Sequence, residues 1–168
     1  STRHPPDSLR ACRRLHRDRP GRNGGIVRWL LIAAVTGCSS YPASQDAWAA
    51  MESDDRVTVT DRGDFTGFLP VESKTSGAIV FYPGGKVEPE AYAPVLRRVA
   101  ESGVASVLVR MPADLAVFAP KKGDRAMEAF DGLGPWFAAG HSLGGAMAAT
   151  WFSKRLDALD GLALLAAY

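Results

Sequence analysis

Apolar and polar positions change period at regular intervals along the chain, and each change predicts an element. Val57-Thr58-Val59-Thr60 alternates, Asp61-Arg62-Gly63-Asp64 supplies turn residues, and Phe65 to Val71 resumes an extended pattern, so residues 56–72 predict a hairpin. Gly77 to Tyr82 is a continuous apolar run of strand length, as in a strand buried on both faces, and it stops at Pro83-Gly84-Gly85. The period then becomes helical. Tyr92, Val95, Leu96 and Val99 fall at i, i+3, i+4 and i+7, Pro89 suits a first turn, Pro94 is expected to kink the start, and Gly103 offers the stop.

Val104 to Val109 predicts a second buried strand. A loop over 111–123 follows, with Leu115, Val117 and Phe118 as pocket-lining or lid residues. A short helix over 124–131, a strand at Trp136-Phe137-Ala138-Ala139, a helix from Ala146 to Leu156 and a strand at Leu162 to Ala166 complete the series. Strands alternating with helices define an α/β class with a mostly parallel sheet, helices on both faces. The Ala/Ser/Asp-rich stretch 39–55 ahead of the hairpin reads as a linker or a short helix.

Length and composition add one domain to this picture: 168 residues, 46% hydrophobic and 23% charged, argue against wholesale disorder and against a polytopic membrane protein. Charge is unevenly spread. Residues 1–28 carry 8 Arg against 2 Asp, whereas the rest carries 12 Lys/Arg against 16 Asp/Glu, so the basic character belongs to the leader. That leader, rich in Arg, Pro and Gly and without periodicity, predicts disorder. It runs into an apolar segment, Trp29 to Cys38, too short to span a bilayer of about 30 Å at 1.5 Å per residue and better matched to a signal-peptide core. Val35-Thr36-Gly37-Cys38 is similar to a bacterial lipobox, with Cys38 as the lipidated residue. An uncleaved anchor and a chance apolar run are the other readings. A lipid or apolar N-terminal anchor would place the protein at the bacterial cell envelope, membrane-anchored or secreted. The arginines carry no interleaved aromatic or Gly-Lys pattern, so nucleic acid is not expected as a partner.

The residues that carry chemistry lie between the third strand and the helix after it: Gly140-His141-Ser142-Leu143-Gly144-Gly145, a G-x-S-x-G pattern. A strand turning sharply into a helix forces the central residue into a strained backbone, and the flanking glycines avoid collisions with strand and helix. Ser142 is thereby pushed out as a nucleophile. The Leu143 N–H and the new helix N-terminus are placed to stabilise an oxyanion. Tyr82-Pro83-Gly84-Gly85-Lys86, after an earlier strand, has the Gly-rich character that turns a second backbone N–H toward the nucleophile; Gly85 is the preferred donor and Lys86 the next. The same Pro-Gly-Gly is also an ordinary strand-terminating turn.

With Ile79 to Val87, Arg110-Met111-Pro112 and Asp160-Gly161-Leu162, these segments make residues 56–168 resemble the α/β-hydrolase superfamily, and more narrowly its small bacterial dienelactone-hydrolase-like members. The resemblance implies a serine hydrolase acting on a small-molecule ester or related acyl compound without a cofactor, with Ser142 as nucleophile and an Asp or Glu orienting a His base.

The pattern departs from that family after Ser142. The triad order is Ser, acid, His, yet the histidines are His4, His16 and His141. His141 points away from its neighbour on an extended segment and is expected to pack beside the elbow. Asp157 and Asp160 read as a helix terminus and a solvated turn. The chain is therefore expected to be an N-terminal part of the domain, lacking the C-terminal strands and helices and turning over little ester by itself. A catalytically inactive, envelope-anchored binding or scaffold protein is the alternative. No nucleotide, zinc or calcium motif is present, so neither metal nor cofactor is implied. Trp136 and Trp151 read as core, Trp48 as linker, and Lys121-Lys122 as a solvated loop.

Overall fold

The computed structural model describes residues 40–71, 75–119 and 121–167. The leader, the apolar segment and Cys38 lie outside the described residues, as do the readings made on them.

Six strands form one sheet: β1 (Val57–Asp61), β2 (Phe65–Pro70), β3 (Gly77–Tyr82), β4 (Val104–Val109), β5 (Trp136–His141) and β6 (Gly161–Leu165). Their order is β1-β2-β4-β3-β5-β6. The β1–β2 hairpin runs antiparallel, β2 lies antiparallel to β4, and β4, β3, β5 and β6 are mutually parallel. From β3 the chain first crosses to one side, making β4, and then to the other, making β5. That reversal opens a crevice beyond the carboxyl ends of β3 and β5, the place where ligands bind in open α/β sheets.

Among the described residues α2 (Ala93–Glu101), α3 (Lys122–Ala129) and α4 (Ser142–Phe152) pack on the sheet, and a short α1 (Gln45–Ala49) packs against α2. Alternation along the strands sorts side chains into two cores. Ala78, Val80 and Tyr82 of β3, with Ala105, Val107 and Val109 of β4, share a cluster with Ala126 of α3 and Ala148 and Trp151 of α4. Phe81 and Leu108 point the other way and meet Ala93, Leu96 and Ala100 of α2. Helices therefore lie on both faces, as the alternation of elements predicts.

Several local details differ from expectation. The α2 stripe is Ala93, Leu96 and Ala100, while Val95 is exposed; small alanines let the helix lie close to the strands. A 3-10 turn at Pro89–Tyr92 precedes α2, whose second residue is Pro94, and Gly103 takes φ +92° just past its end. The helix alternative is the one that forms in 39–55: Ser44 caps α1, and Ala47 is buried. Helix α3 starts at Lys122, inside the stretch read as loop. Lys122 corrects the solvated reading made of the Lys121-Lys122 pair, because its side chain is buried, pairs with Asp64 at 2.9 Å and donates to the Arg110 carbonyl at 2.6 Å. Lys121 is exposed. Trp136 and Trp151 are core residues and Trp48 is exposed. Among the described residues no helix is long and apolar enough to cross a membrane.

Two hydroxyls in the sheet, Thr66 Oγ1 on β2 and Ser106 Oγ on β4, are buried without a hydrogen-bond partner. An unpaired buried hydroxyl costs about 1–3 kcal/mol of desolvation. Ser106→Ala is therefore expected to leave the urea midpoint unchanged or to raise stability by up to about 1 kcal/mol. A loss of that size would mean the hydroxyl has a partner in solution.

Candidate active site

Strand β5 ends at His141, and α4 begins at the next residue without any intervening loop. The turn is possible because Ser142 takes φ +50°, a left-handed backbone that costs a non-glycine residue energy. Helix α4 consequently starts four residues earlier than expected from periodicity. The reason is that Gly144-Gly145 lacks helix propensity and is held helical by packing. A Cβ on Gly144 would lie 2.1 Å from the Pro83 carbonyl oxygen and 2.3 Å from that of Tyr82, and one on Gly140 would lie 2.7 Å from the Gly144 backbone. The helix thus rests directly on the end of β3, and the glycines permit that approach.

In the β3–β5 register Tyr82 pairs with Gly140, which sets the Pro83–Lys86 loop beside the elbow. A Cβ on Gly85 would approach the Leu143 side chain to 2.9 Å and that of Leu115 to 3.4 Å, so Leu115 does flank this loop. Phe118, in contrast, is exposed and borders a separate open cavity with Asp64, Lys121 and Arg125.

The backbone amides of the loop can be followed one by one. Pro83 has none. Gly84 donates to the Tyr92 hydroxyl at 2.9 Å, and Lys86 donates to the Asp114 carbonyl at 2.9 Å. Lys86, at φ +61°, is further held through its carbonyl, which accepts from Tyr41 at 2.7 Å. The Gly85 amide makes no hydrogen bond to another described residue. The amide of Leu143, in the first turn of α4, is one of the donors a helix leaves without an internal partner. Of the two loop amides considered, Gly85 is therefore the available one and Lys86 is not.

His141 Nδ1 lies 2.9 Å from the Tyr92 hydroxyl, with the two rings 5.8 Å apart. It packs beside the elbow, against Tyr92 and the Gly84 backbone. Burial pushes the Tyr92 hydroxyl above the ordinary tyrosine range, opposed in part by the Gly84 amide, so it stays protonated at neutral pH. Tyr92 is the site residue that the sequence reading missed. Its helical spacing marks it as one more apolar-face position, and nothing in that spacing signals a hydroxyl aimed at a loop on another element. Asp157 and Asp160 are exposed; Asp160 follows the α4–β6 connection and its amide bonds the Trp136 carbonyl at 2.7 Å, at the opposite end of β5 from Ser142.

A sheet of this order, with a strand–serine–helix turn at its switch point and a glycine loop beside it, defines the α/β-hydrolase class. A sequence profile described as the alpha/beta hydrolase family matches residues 78–168, and the chain belongs to that family. Among solved structures it is similar to a bacterial heroin esterase (22% identity, TM-score 0.52, covering 73% of this chain and 48% of that one). It is also similar to an esterase of the bacterial hormone-sensitive lipase family (16%, TM-score 0.54, covering 71% and 47%). A third is the fluorophosphonate-binding serine hydrolase F of Staphylococcus aureus (15%, TM-score 0.50, covering 66% and 56%). The chain thus spans about half the length of these structures. Among curated proteins no significant sequence match was found.

Proposed function

We propose that this chain carries the nucleophile and oxyanion hole of a serine hydrolase that cleaves an ester or related acyl bond in a small-molecule substrate. What supports this reading above all is the pairing of Ser142, held at φ +50° on a strand-to-helix turn, with the unspent amide of Gly85, a residue close enough to the Leu143 side chain that a Cβ on it would approach to 2.9 Å. Ser142 Oγ attacks the acyl carbon, and the carbonyl oxygen becomes an oxyanion that accepts from the Gly85 and Leu143 amides. Each such donor contributes about 10²–10³ in rate. The leaving group departs with a proton, and water then releases the acyl group from Ser142. The base and its acid are proposed to come from residues other than these 168, because the histidines here are His4, His16 and His141. The dienelactone-hydrolase-like narrowing belongs to the same proposal.

An envelope location, with Cys38 lipidated, is proposed on the lipobox-like Val35-Thr36-Gly37-Cys38. Ser40 bonds the Asp114 carboxylate beside the Lys86 loop. Two residues span at most about 7 Å, so an anchor at Cys38 would hold the site close to the bilayer. Palmitate incorporation lost in Cys38→Ala is the expected result; incorporation that persists in that variant removes Cys38 as the lipidated residue, and none in the unaltered protein removes the lipid anchor.

The function is tested by expressing the reading frame to its natural stop codon and treating the protein with a fluorophosphonate probe and p-nitrophenyl esters. Labelling and hydrolysis that both vanish in Ser142→Ala are expected. Absence of both in the unaltered protein overturns the enzyme reading in favour of an inactive envelope scaffold, the competing interpretation.

A further inference from the structure

We propose that Tyr92 and His141 are positioning residues for the oxyanion hole: their hydrogen-bonded contact occupies the Gly84 amide and thereby leaves Gly85 as the loop's free donor. This rests on the function proposed above and adds to it two residues that neither attack nor bind the substrate.

The need for such a device follows from the loop's composition. Pro83-Gly84-Gly85-Lys86 contains two adjacent glycines, each able to populate several backbone regions, so an unsupported Gly84–Gly85 peptide would sample orientations in which its N–H faces away from Ser142. An oxyanion hole works because its donors are already aimed before charge develops. Downstream, the loop is tied by Lys86 to Asp114 and Tyr41. Upstream, the tie is the bond of 2.9 Å from the Gly84 amide to Tyr92. With both neighbours committed, Gly85 is held between two fixed points.

His141 converts this tie into a link with the nucleophile. Tyr92 Oη bridges the Gly84 amide and His141 Nδ1, each at 2.9 Å. Gly84 immediately precedes the donor Gly85, and His141 immediately precedes Ser142, so one hydroxyl connects the residues ahead of both reacting partners. The tyrosine oxygen accepts from Gly84, and we assign its own proton to the bond with Nδ1, so that Nδ1 accepts and the ring proton of His141 sits on Nε2. The fit is close: a Cβ on Gly84 would lie 2.8 Å from both Nδ1 and Oη. Tyr92 is itself held by its ring against Phe81, at 4.9 Å between centroids, and by the buried Ala93 that starts α2.

The experiment uses the protein expressed to its natural stop codon. Tyr92→Phe keeps the ring and deletes the bridge; kcat on p-nitrophenyl acetate is expected to fall about tenfold, with KM within about twofold, because the donor is misaimed only when charge develops. His141→Leu is expected to match it, and the double variant to be no worse than either, as for members of one unit. His141→Asn, whose Oδ1 can accept where Nδ1 did, is expected to restore kcat to within about threefold of the unaltered protein. A purely structural role would lower the melting temperature without separating kcat from KM.

The proposal is overturned if an active protein keeps kcat within about twofold in both Tyr92→Phe and His141→Leu, or if KM alone rises. Imidazole ¹⁵N shifts that report a protonated Nδ1 overturn it through the bonding direction. If the unaltered protein neither hydrolyses ester nor labels at Ser142, the hydrolase reading itself fails and takes this one with it, an outcome separable from the variant result.

Discussion

Gly144→Ala is expected to leave little folded protein. The added Cβ would meet the Pro83 and Tyr82 carbonyl oxygens at 2.1 and 2.3 Å, and both belong to backbone at the end of the central strand β3, which cannot swing aside as a side chain can. Helix α4 would have to lift off the sheet, opening the core around Ala148 and Trp151. Overpacking of this kind costs about 3 kcal/mol or more, a large part of the roughly 5–15 kcal/mol that holds a domain together. The expected readout is loss of the cooperative urea transition or a midpoint shifted by that amount. A variant within about 1 kcal/mol of the unaltered protein would show that α4 sits farther from β3 in solution.

Replacing Ser142 separates chemistry from strain. On the proposed function, Ser142→Ala is expected to lower ester turnover at least about 10³-fold in the protein expressed to its natural stop, because the proposed acyl acceptor is gone. Its stability should change little, since alanine bears the same left-handed penalty. Ser142→Gly should lose as much activity yet gain about 1 kcal/mol, because φ +50° costs glycine nothing. Chemical denaturation of the three proteins side by side gives the comparison. A glycine variant less stable than the alanine one would mean that the elbow stores no strain.

That strain was readable in advance, because the sequence pattern and the structural cause coincide at Gly140-His141-Ser142-Leu143-Gly144. The same is true of the hairpin, of β3, of β4 and of the two Trp core residues, where period or size alone settles burial. Elsewhere local pattern misled. Val95 has the hydrophobicity for the buried face of α2, but Ala93 and Ala100 occupy it, since what the sheet accepts there is a close-lying backbone. Lys122 reads as solvated by residue type and is buried, because Asp64 and the Arg110 carbonyl arrive from elements distant in sequence.

By itself, then, the sequence determined the α/β class, the position of the serine turn and the glycine loop that faces it, since these depend on period, on steric limits at single residues and on neighbours along the chain. The tertiary structure alone decided that β3 lies between β4 and β5, that Lys86 and not Gly85 spends its amide on another described residue, and that Tyr92 and His141 meet over Gly84. Hydrogen bonds and packing between Gly84 and Tyr92, or Tyr92 and His141, join positions 8 and 49 residues apart. Such pairings are selected by the register of whole strands and the placement of whole helices, and no local pattern encodes them.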